Sequence, residues 1–354
     1  MAAGSFDHLV LGSTPLAGLL AGVLAASHGK RVCLVGEPFS PFRLQRNLGV
    51  SIMPVTRPET LILLKQSAAE TVRLVNSWGK GFLTRADALF VAESSGSIAA
   101  LGHFRQLAMA LGYAVEPVAD RSFSDGVLYR VRDAQLIGHG SFEPQLEAWL
   151  AGLGVTHLDA ADVQVSLRKD GSARVLHAGQ TLEAGQAVLA GDNAIARHLD
   201  AESLDRSLEI VPTASVLLEG GRPLPSPFVG FLDRGVMLEQ DGRVAISALV
   251  SGDPVTAHAR LGSAVARAGT LRLAGETRLS AVRTLDGAPY IGPARGSRVV
   301  LVAGLGMAAP FYAPALARHL DGSSPPDEAS WFAARGPTRG NLRQLVSDYS
   351  VVPA

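Results

Sequence analysis

The chain is short of the residues that build stapled or metal-held folds. It has one cysteine, Cys33, in 354 residues. A single thiol excludes a disulfide framework and any cysteine-rich zinc site. It also lacks an excess of charge. Lys+Arg at 32 against Asp+Glu at 32 give a formal charge of zero. A nucleic-acid grip needs a basic surface, so no nucleic-acid partner is expected. The nine histidines are scattered, with no H-x-E, HExxH or close Cys/His cluster, and no metal site is expected. His139, between Gly138 and Gly140, stands in a turn-like setting and reads as a surface residue. No internal repeat or low-complexity tract is evident.

What is abundant is apolar surface and glycine. Hydrophobic residues make up 47% and charged residues 18%, so the chain can bury a sizeable core. At roughly 150 residues per domain, the length suits one large or two medium domains. Glycine, at 38 residues, exceeds its usual share of roughly 7%. Many positions therefore call for backbone without a side chain.

One uncharged run, Leu9 to Ser27, is long enough for a membrane helix by length alone. Its content argues otherwise. Gly12, Pro15, Gly18 and Gly22 interrupt it, and it leads through His28-Gly29-Lys30-Arg31 into a second apolar run, Val32 to Val35. Met1 to His8 carries Asp7 and no Lys or Arg, so the positive start of a signal peptide is missing. The reading is a buried strand, a glycine turn, a helix and a second strand, in a protein without a membrane span. A cytoplasmic location is expected.

Residues 8–37 thus form a βαβ unit of the kind that binds nucleotides. In such a unit the first glycine makes the tight turn and the second lets a pyrophosphate approach the backbone. The phosphates sit on the N–H groups at the helix start. An acid after the second strand takes the ribose hydroxyls. Here Gly12 is the first glycine, followed by Ser13. Thr14 stands at the second glycine position. Ala17 stands at the third, or Gly18 if the turn is one residue longer. The acid is Glu37, one place late, after Gly36.

Three further segments complete a pattern. Arg46-Asn47-Leu48-Gly49 follows a loop with two Pro-Phe pairs, and Glu59 to Trp78 reads as a helix. Phe142 to Leu153 reads as a helix, followed by strands at 154–158, 162–167 and 173–176 and a buried strand ending at Ala190-Gly191-Asp192. Asp286-Gly287-Ala288-Pro289-Tyr290-Ile291-Gly292 precedes a strand, Val299 to Ala303, then Gly304-Leu305-Gly306-Met307 and a helix, Pro314 to Leu320. In this order the chain resembles the FAD-dependent amino-acid oxidase family that includes glycine oxidase, sarcosine oxidase and D-amino-acid oxidase. The resemblance covers about residues 6–335.

The resemblance implies an α/β fold. It would be a Rossmann-like FAD-binding domain of glutathione-reductase type, joined to an α+β substrate domain with an antiparallel sheet. The FAD-binding domain would be discontinuous, from 1–50, 145–210 and 281–335. The substrate domain would come from 51–144 and 211–280, and 336–354 would form a tail. Ile210 to Val250 alternates as antiparallel strands should and would roof the flavin; Ala257 to Ala268 reads as a helix. Leu342 to Tyr349 is a short amphipathic stretch that would dock on the core or on a partner.

The resemblance also assigns residues. Gly12, Ser13, Thr14, Ala17, Gly18 and Glu37 would serve the ADP half. Arg46, Asn47 and Gly49 would lie along the phosphates, and Val163 would meet adenine with its backbone. Ala190 and Gly191 would mark the strand end below the cofactor. Gly304, Leu305, Gly306 and Met307 would lie against the isoalloxazine, where a helix dipole stabilises the reduced ring. No His or Cys lies where covalent relatives attach their flavin, so non-covalent FAD is implied. Arg283 would clamp a substrate carboxylate with its planar fork, although it stands three residues before Asp286 where the family has five. Tyr290, Tyr312 and Phe311 would wall the pocket, and Met237 could face the flavin or the core. Met307-Ala308-Ala309 stands where relatives often carry a polar residue and another glycine.

The implied reaction is oxidation of a C–N bond of a small amine or amino acid by hydride transfer to the flavin. Such chemistry leaves little acid–base work to the protein. Two other readings stay open: a non-catalytic or weakly flavin-binding subunit acting in a complex, and a flavin-dependent hydroxylase. Homo- and hetero-oligomers are equally open.

Overall fold

The uncharged run at the start of the chain is divided by its own capping residues. In a computed structural model, which describes residues 5–37, 49–119, 121–137, 142–200, 202–241, 245–337 and 348–349, it becomes β1 (Ser5–Leu11) and α1 (Pro15–His28). Thr14 caps the helix, Pro15 fills its first position and Gly29 ends it in the left-handed conformation. Every residue from Pro15 to Leu24 is buried. Among the described residues, no helix is long and apolar enough to cross a membrane.

The remaining elements follow in chain order. They are β2 (Val32–Gly36), α2 (Pro58–Ser77), β3 (Leu83–Ala92), α3 (Ser95–Ala110), β4 (Val115–Val118) and β5 (Val127–Ile137). Next come α4 (Phe142–Gly152), β6 (Thr156–Asp159), β7 (Val163–Leu167), β8 (Ala173–His177), β9 (Gln180–Leu189) and α5 (Asp192–His198). The second half holds β10 (Leu208–Gly220), β11 (Phe228–Phe231), β12 (Val236–Asp241), β13 (Ala245–Ser251), α6 (Pro254–Val265) and β14 (Leu271–Thr284). It closes with β15 (Tyr290–Pro293), β16 (Val300–Ala303), a 3₁₀ segment Gly306–Tyr312, α7 (Ala313–Asp321) and α8 (Pro326–Ala333).

The strands form two sheets. The first runs β15-β16-β9-β1-β2-β6, with β7 and β8 attached to β9. Its centre is parallel: Leu9 lies opposite Cys33 on one side and Ala187 on the other. Strands buried on both faces read as unbroken apolar runs, which is why Val32–Val35 shows no alternation. The second sheet runs β14-β10-β13-β12-β11-β3-β5-β4. It is antiparallel except where β11 runs alongside β3. The expected domain boundaries at 210 and 281 fall inside β10 and β14. These two strands pair from Leu208↔Thr284 to Gly220↔Leu271, with one shift of register between Leu217 and Leu218.

The described end of the chain returns to the core. Asp348 is fully buried and accepts two hydrogen bonds from Arg335, at 2.8 and 2.9 Å. Arg57, just before α2, reaches the same carboxylate at 2.9 Å. The Arg335 guanidinium also lies over the Trp331 ring, 4.7 Å from its centroid. Beside it, the Tyr349 hydroxyl donates to that of Tyr312 at 3.0 Å. Two arginines on one buried carboxylate satisfy it, and a charge stripped of its partner inside a protein is costly. Asp348→Ala is expected to destabilise the chain by about 3 kcal/mol, read as a lower urea midpoint. An unchanged midpoint would show that this pair contributes nothing to stability.

Candidate active site

Three strand ends meet below the site. Gly12 follows β1, Gly36 ends β2, and Ala190-Gly191 follows β9. The backbones approach so closely that a Cβ on Gly12 would stand 2.7 Å from the Ala190 carbonyl oxygen. One on Gly36 would stand 2.4 Å from the Gly12 carbonyl oxygen. Side chains then tie the turns together. The Thr14 hydroxyl donates to the Ala190 carbonyl at 3.3 Å and accepts from the Ala17 N–H at 3.4 Å. The Ser13 hydroxyl accepts from the Glu37 N–H at 2.8 Å.

Above these turns lies a cavity of about 960 Å³. It opens at the carboxyl ends of β1, β9 and β16, the place where open parallel sheets bind their ligands. Ser13, Thr14, Gly191 and the run Gly304–Met307 line it from the first sheet. Val211–Thr213, Gly230–Leu232, Met237, Leu249, Leu279 and Ala281–Leu285 line it from the second sheet and its connections. The antiparallel sheet is therefore the roof that the alternation in Ile210–Val250 predicts. Gly304 has a φ of 75°, and a Cβ there would meet the Thr284 methyl at 2.8 Å. Only glycine lets the chain turn at this spot. A second, much smaller cavity of about 50 Å³ lies on the other side of the β1 turn, among Gly12, Gly18, Glu37, Glu143, Glu147 and His157.

The structure brings together part of the predicted set. Gly12, Gly18 and Glu37 border the small cavity, and Ser13 and Thr14 border both. Gly191, Arg283, Met237, Gly304, Leu305, Gly306 and Met307 border the large one. Ala17 and Ala190 are buried beneath the turns they help to hold. Gly49 packs against Ile137, Pro310 and Phe311. Val163 opens β7 and lines neither cavity. Arg46, Asn47 and His139 lie outside the described residues.

Three predicted pocket walls are instead core. Tyr290 is fully buried within the first sheet, and its hydroxyl donates to the Pro293 carbonyl at 2.7 Å. Tyr312 is fully buried, stacked on Trp331 and bonded to Tyr349. Phe311 is fully buried in the same cluster. In each case the ring satisfies packing, and each tyrosine hydroxyl finds a partner there. The segment after Gly306 winds as a 3₁₀ turn with Pro310 inside it, and the helix expected from Pro314 to Leu320 follows as Ala313–Asp321.

The charges around the large cavity are few. Arg283 lies directly across from Glu209 in the β10–β14 ladder, and its Nη2 donates to both Glu209 oxygens at 3.1 and 2.9 Å. Its Nε is buried without a hydrogen-bond partner among the described residues. Arg260, on α6, donates to the Ser251 carbonyl at 3.0 Å, and no ion pair of Arg260 occurs among the described residues. Asp192 opens α5 in the cavity wall and is half-buried. Desolvation pushes its pKa up to about 6, against one opposing backbone hydrogen bond from Val282. Arg260 and Asp192 were not singled out by type or spacing. Gly191-Asp192 reads in sequence as an ordinary strand-end turn.

No protein-family model and no curated protein matches this chain. Solved structures do. Glycine oxidase from Geobacillus kaustophilus aligns at a TM-score of 0.68 and 17% identity, over 96% of this chain and all of that one. L-proline dehydrogenase from P. horikoshii aligns at 0.70 and 13% identity, over 96% and 98%. The fold is that of the amino-acid oxidases. L-amino acid deaminase from Proteus vulgaris, at 0.70 and 13% identity over 96% and 98%, shares it.

A flavin ring fits the large cavity. Its volume lies at the upper end of the usual range for ligand sites. Its walls are mainly apolar, and the Gly304–Met307 backbone borders it directly.

The Asp192 shift has a measurable consequence. A raised carboxyl pKa means that the folded chain holds this proton more tightly than the unfolded chain. Burial therefore costs stability as pH rises from 3.8 through about 6. Asn has no charge to desolvate and still accepts from Val282. Asp192→Asn is expected to gain on the parent chain between pH 4 and pH 7, by on the order of 2 kcal/mol. Denaturant unfolding at several pH values reads this, and a constant difference would rule the shift out.

Proposed function

We propose that the chain is a flavin-dependent oxidoreductase that oxidises the C–N bond of a small amine or amino acid. The observation that carries this is the large cavity. It sits at the carboxyl ends of parallel strands, under an antiparallel roof, in the fold of the amino-acid oxidases. Gly304, Leu305, Gly306 and Met307 would hold the ring from below, with Met237 and Leu249 above. No His or Cys is among the residues that line this cavity, which supports non-covalent binding. When bound, a flavin supplies a two-electron acceptor for the C–H beside an amine nitrogen.

The chain's own part is to place the substrate and keep water out. The apolar roof lowers the local dielectric, so the few charges beneath it act strongly. Arg283 and Arg260 give the cavity two guanidinium groups. Arg283 would offer a substrate carboxylate the part of its guanidinium that Glu209 does not take. Glu209 holds the far side of the same guanidinium and fixes its plane. The substrate is therefore expected to carry a carboxylate beside its amine.

Reconstitution with flavin and a panel of small amines and amino acids tests the reading, followed by hydrogen peroxide or by reduction of an added electron acceptor. Turnover on an amino acid is expected, and a chain that binds no flavin even in excess rules the proposal out. Arg283→Ala is expected to raise KM for a carboxylate substrate about tenfold or more while flavin stays bound. An unchanged KM would move the carboxylate seat to Arg260.

A further inference from the structure

The tyrosine that borders the large cavity is Tyr349. It arrives with Asp348, and these two residues are tied to several separate parts of the chain. The Asp348 carbonyl accepts from the Thr56 N–H at 2.8 Å, and Val55 pairs with Tyr349 as an antiparallel bridge. The Asp348 and Tyr349 N–H groups both donate to the Gly287 carbonyl at 3.2 Å. The Asp348 carboxylate holds Arg57 and Arg335, and the Tyr349 hydroxyl donates to Tyr312. A side chain anchored in this way is in place before a ligand arrives, and a preformed wall costs little ordering entropy on binding.

The anchoring also decides what Tyr349 shows to the cavity. Tyr312 is fully buried and is not among the residues that line the cavity, so the hydroxyl bonded to it turns into the core. Burial holds that hydroxyl well above the usual phenol pKa, and it stays un-ionised. What is left for the cavity is the ring. Met53 and Pro54, from the segment before α2, line the same cavity, as do Ala309 and Pro310 of the 3₁₀ turn. The two segments adjoin: the Val50 N–H donates to the Met307 carbonyl at 2.9 Å, and a Cβ on Gly49 would stand 3.0 Å from Pro310 Cγ. Met53, Ala309 and Tyr349 all pack against one buried core cluster. No member of this group carries a charge. The strand that bears Arg283 leads into the turn of Gly287, to which Tyr349 is bonded.

We infer that Tyr349 is a specificity-determining residue: with Met53, Pro54, Ala309 and Pro310 it seats an apolar substituent of the substrate, while Arg283 takes the carboxylate. The inference rests on the oxidase reading above and narrows it to substrates with a bulky apolar side chain, aromatic or branched. Such a substituent gains in proportion to the apolar area it covers, whereas a charged one gives up its water on the same wall.

Acetate and phenylacetate share a carboxylate and differ in the ring. Their dissociation constants from the chain loaded with FAD, measured by calorimetry, read the seat without reference to turnover. Phenylacetate is expected to bind about thirtyfold tighter than acetate. Tyr349→Ala is expected to lower that ratio about tenfold, and Tyr349→Phe, which keeps the ring, to restore it to within about threefold of the parent. Met53→Ala, on the adjoining segment, is expected to lower it about threefold and reads the same seat should Tyr349→Ala fail to fold, which circular dichroism checks. A parent chain that binds FAD without preferring phenylacetate, or a folded Tyr349→Ala that keeps the preference, overturns the inference and leaves the oxidase reading intact. A folded Tyr349→Ala that loses FAD instead places the ring against the cofactor and also overturns it. A parent chain that binds no flavin overturns both.

Discussion

Gly12, Gly36 and Ala190 meet where β1, β2 and β9 end, with no room for a side chain on either glycine. That contact fixes the level at which all three turns leave the sheet. Everything above it follows. Thr14 can cap α1 and reach Ala190 only because the two turns lie this close. The cavity floor is the upper surface of the same contact, continued by Gly304 after β16. A bulkier residue at Gly12 or Gly36 would force strands apart that lie at the centre of the first sheet. Packing is dense enough there that such strain has nowhere to go.

The parts of the fold legible in sequence are those governed by local chemistry. Thr14, Pro15 and Gly29 are capping residues, and they set the ends of α1 where composition places them. Continuous apolar runs mark parallel strands, and alternation marks the roof. Side-chain direction is a different matter. Tyr290 and Tyr312 are the right residue types for a pocket wall, yet a tyrosine serves a core equally well once its hydroxyl has a partner. Pro293 and Tyr349 supply those partners. Arg283 and Glu209 lie 74 positions apart, and only the ladder between β10 and β14 makes them neighbours. Asp192 reads as a turn residue because burial, not type, gives it its altered proton affinity.

The two ends of the site are built to different standards. At the ring end, glycines and apolar side chains leave a broad space with two guanidinium groups and two carboxyls, Asp192 and Asp253, at its edges. At the nucleotide end, the polar groups already satisfy one another. Hydrogen bonds that close a protein on itself are unavailable to a ligand unless the ligand offers something better. A fold can therefore be retained while its binding contacts are redistributed, because packing and ligand contacts draw on different atoms of the same turn.

The order of strands in the first sheet sets the timing of assembly. β1 sits between β2 and β9, while β16, which closes the other side of β9, is made long after all three. During synthesis β1 and β2 must wait with their apolar faces uncovered until distant segments arrive. Parallel pairing across such separations is slow, and uncovered strands invite association with other chains. The first sheet is thus incomplete beside β9 until β16 is made.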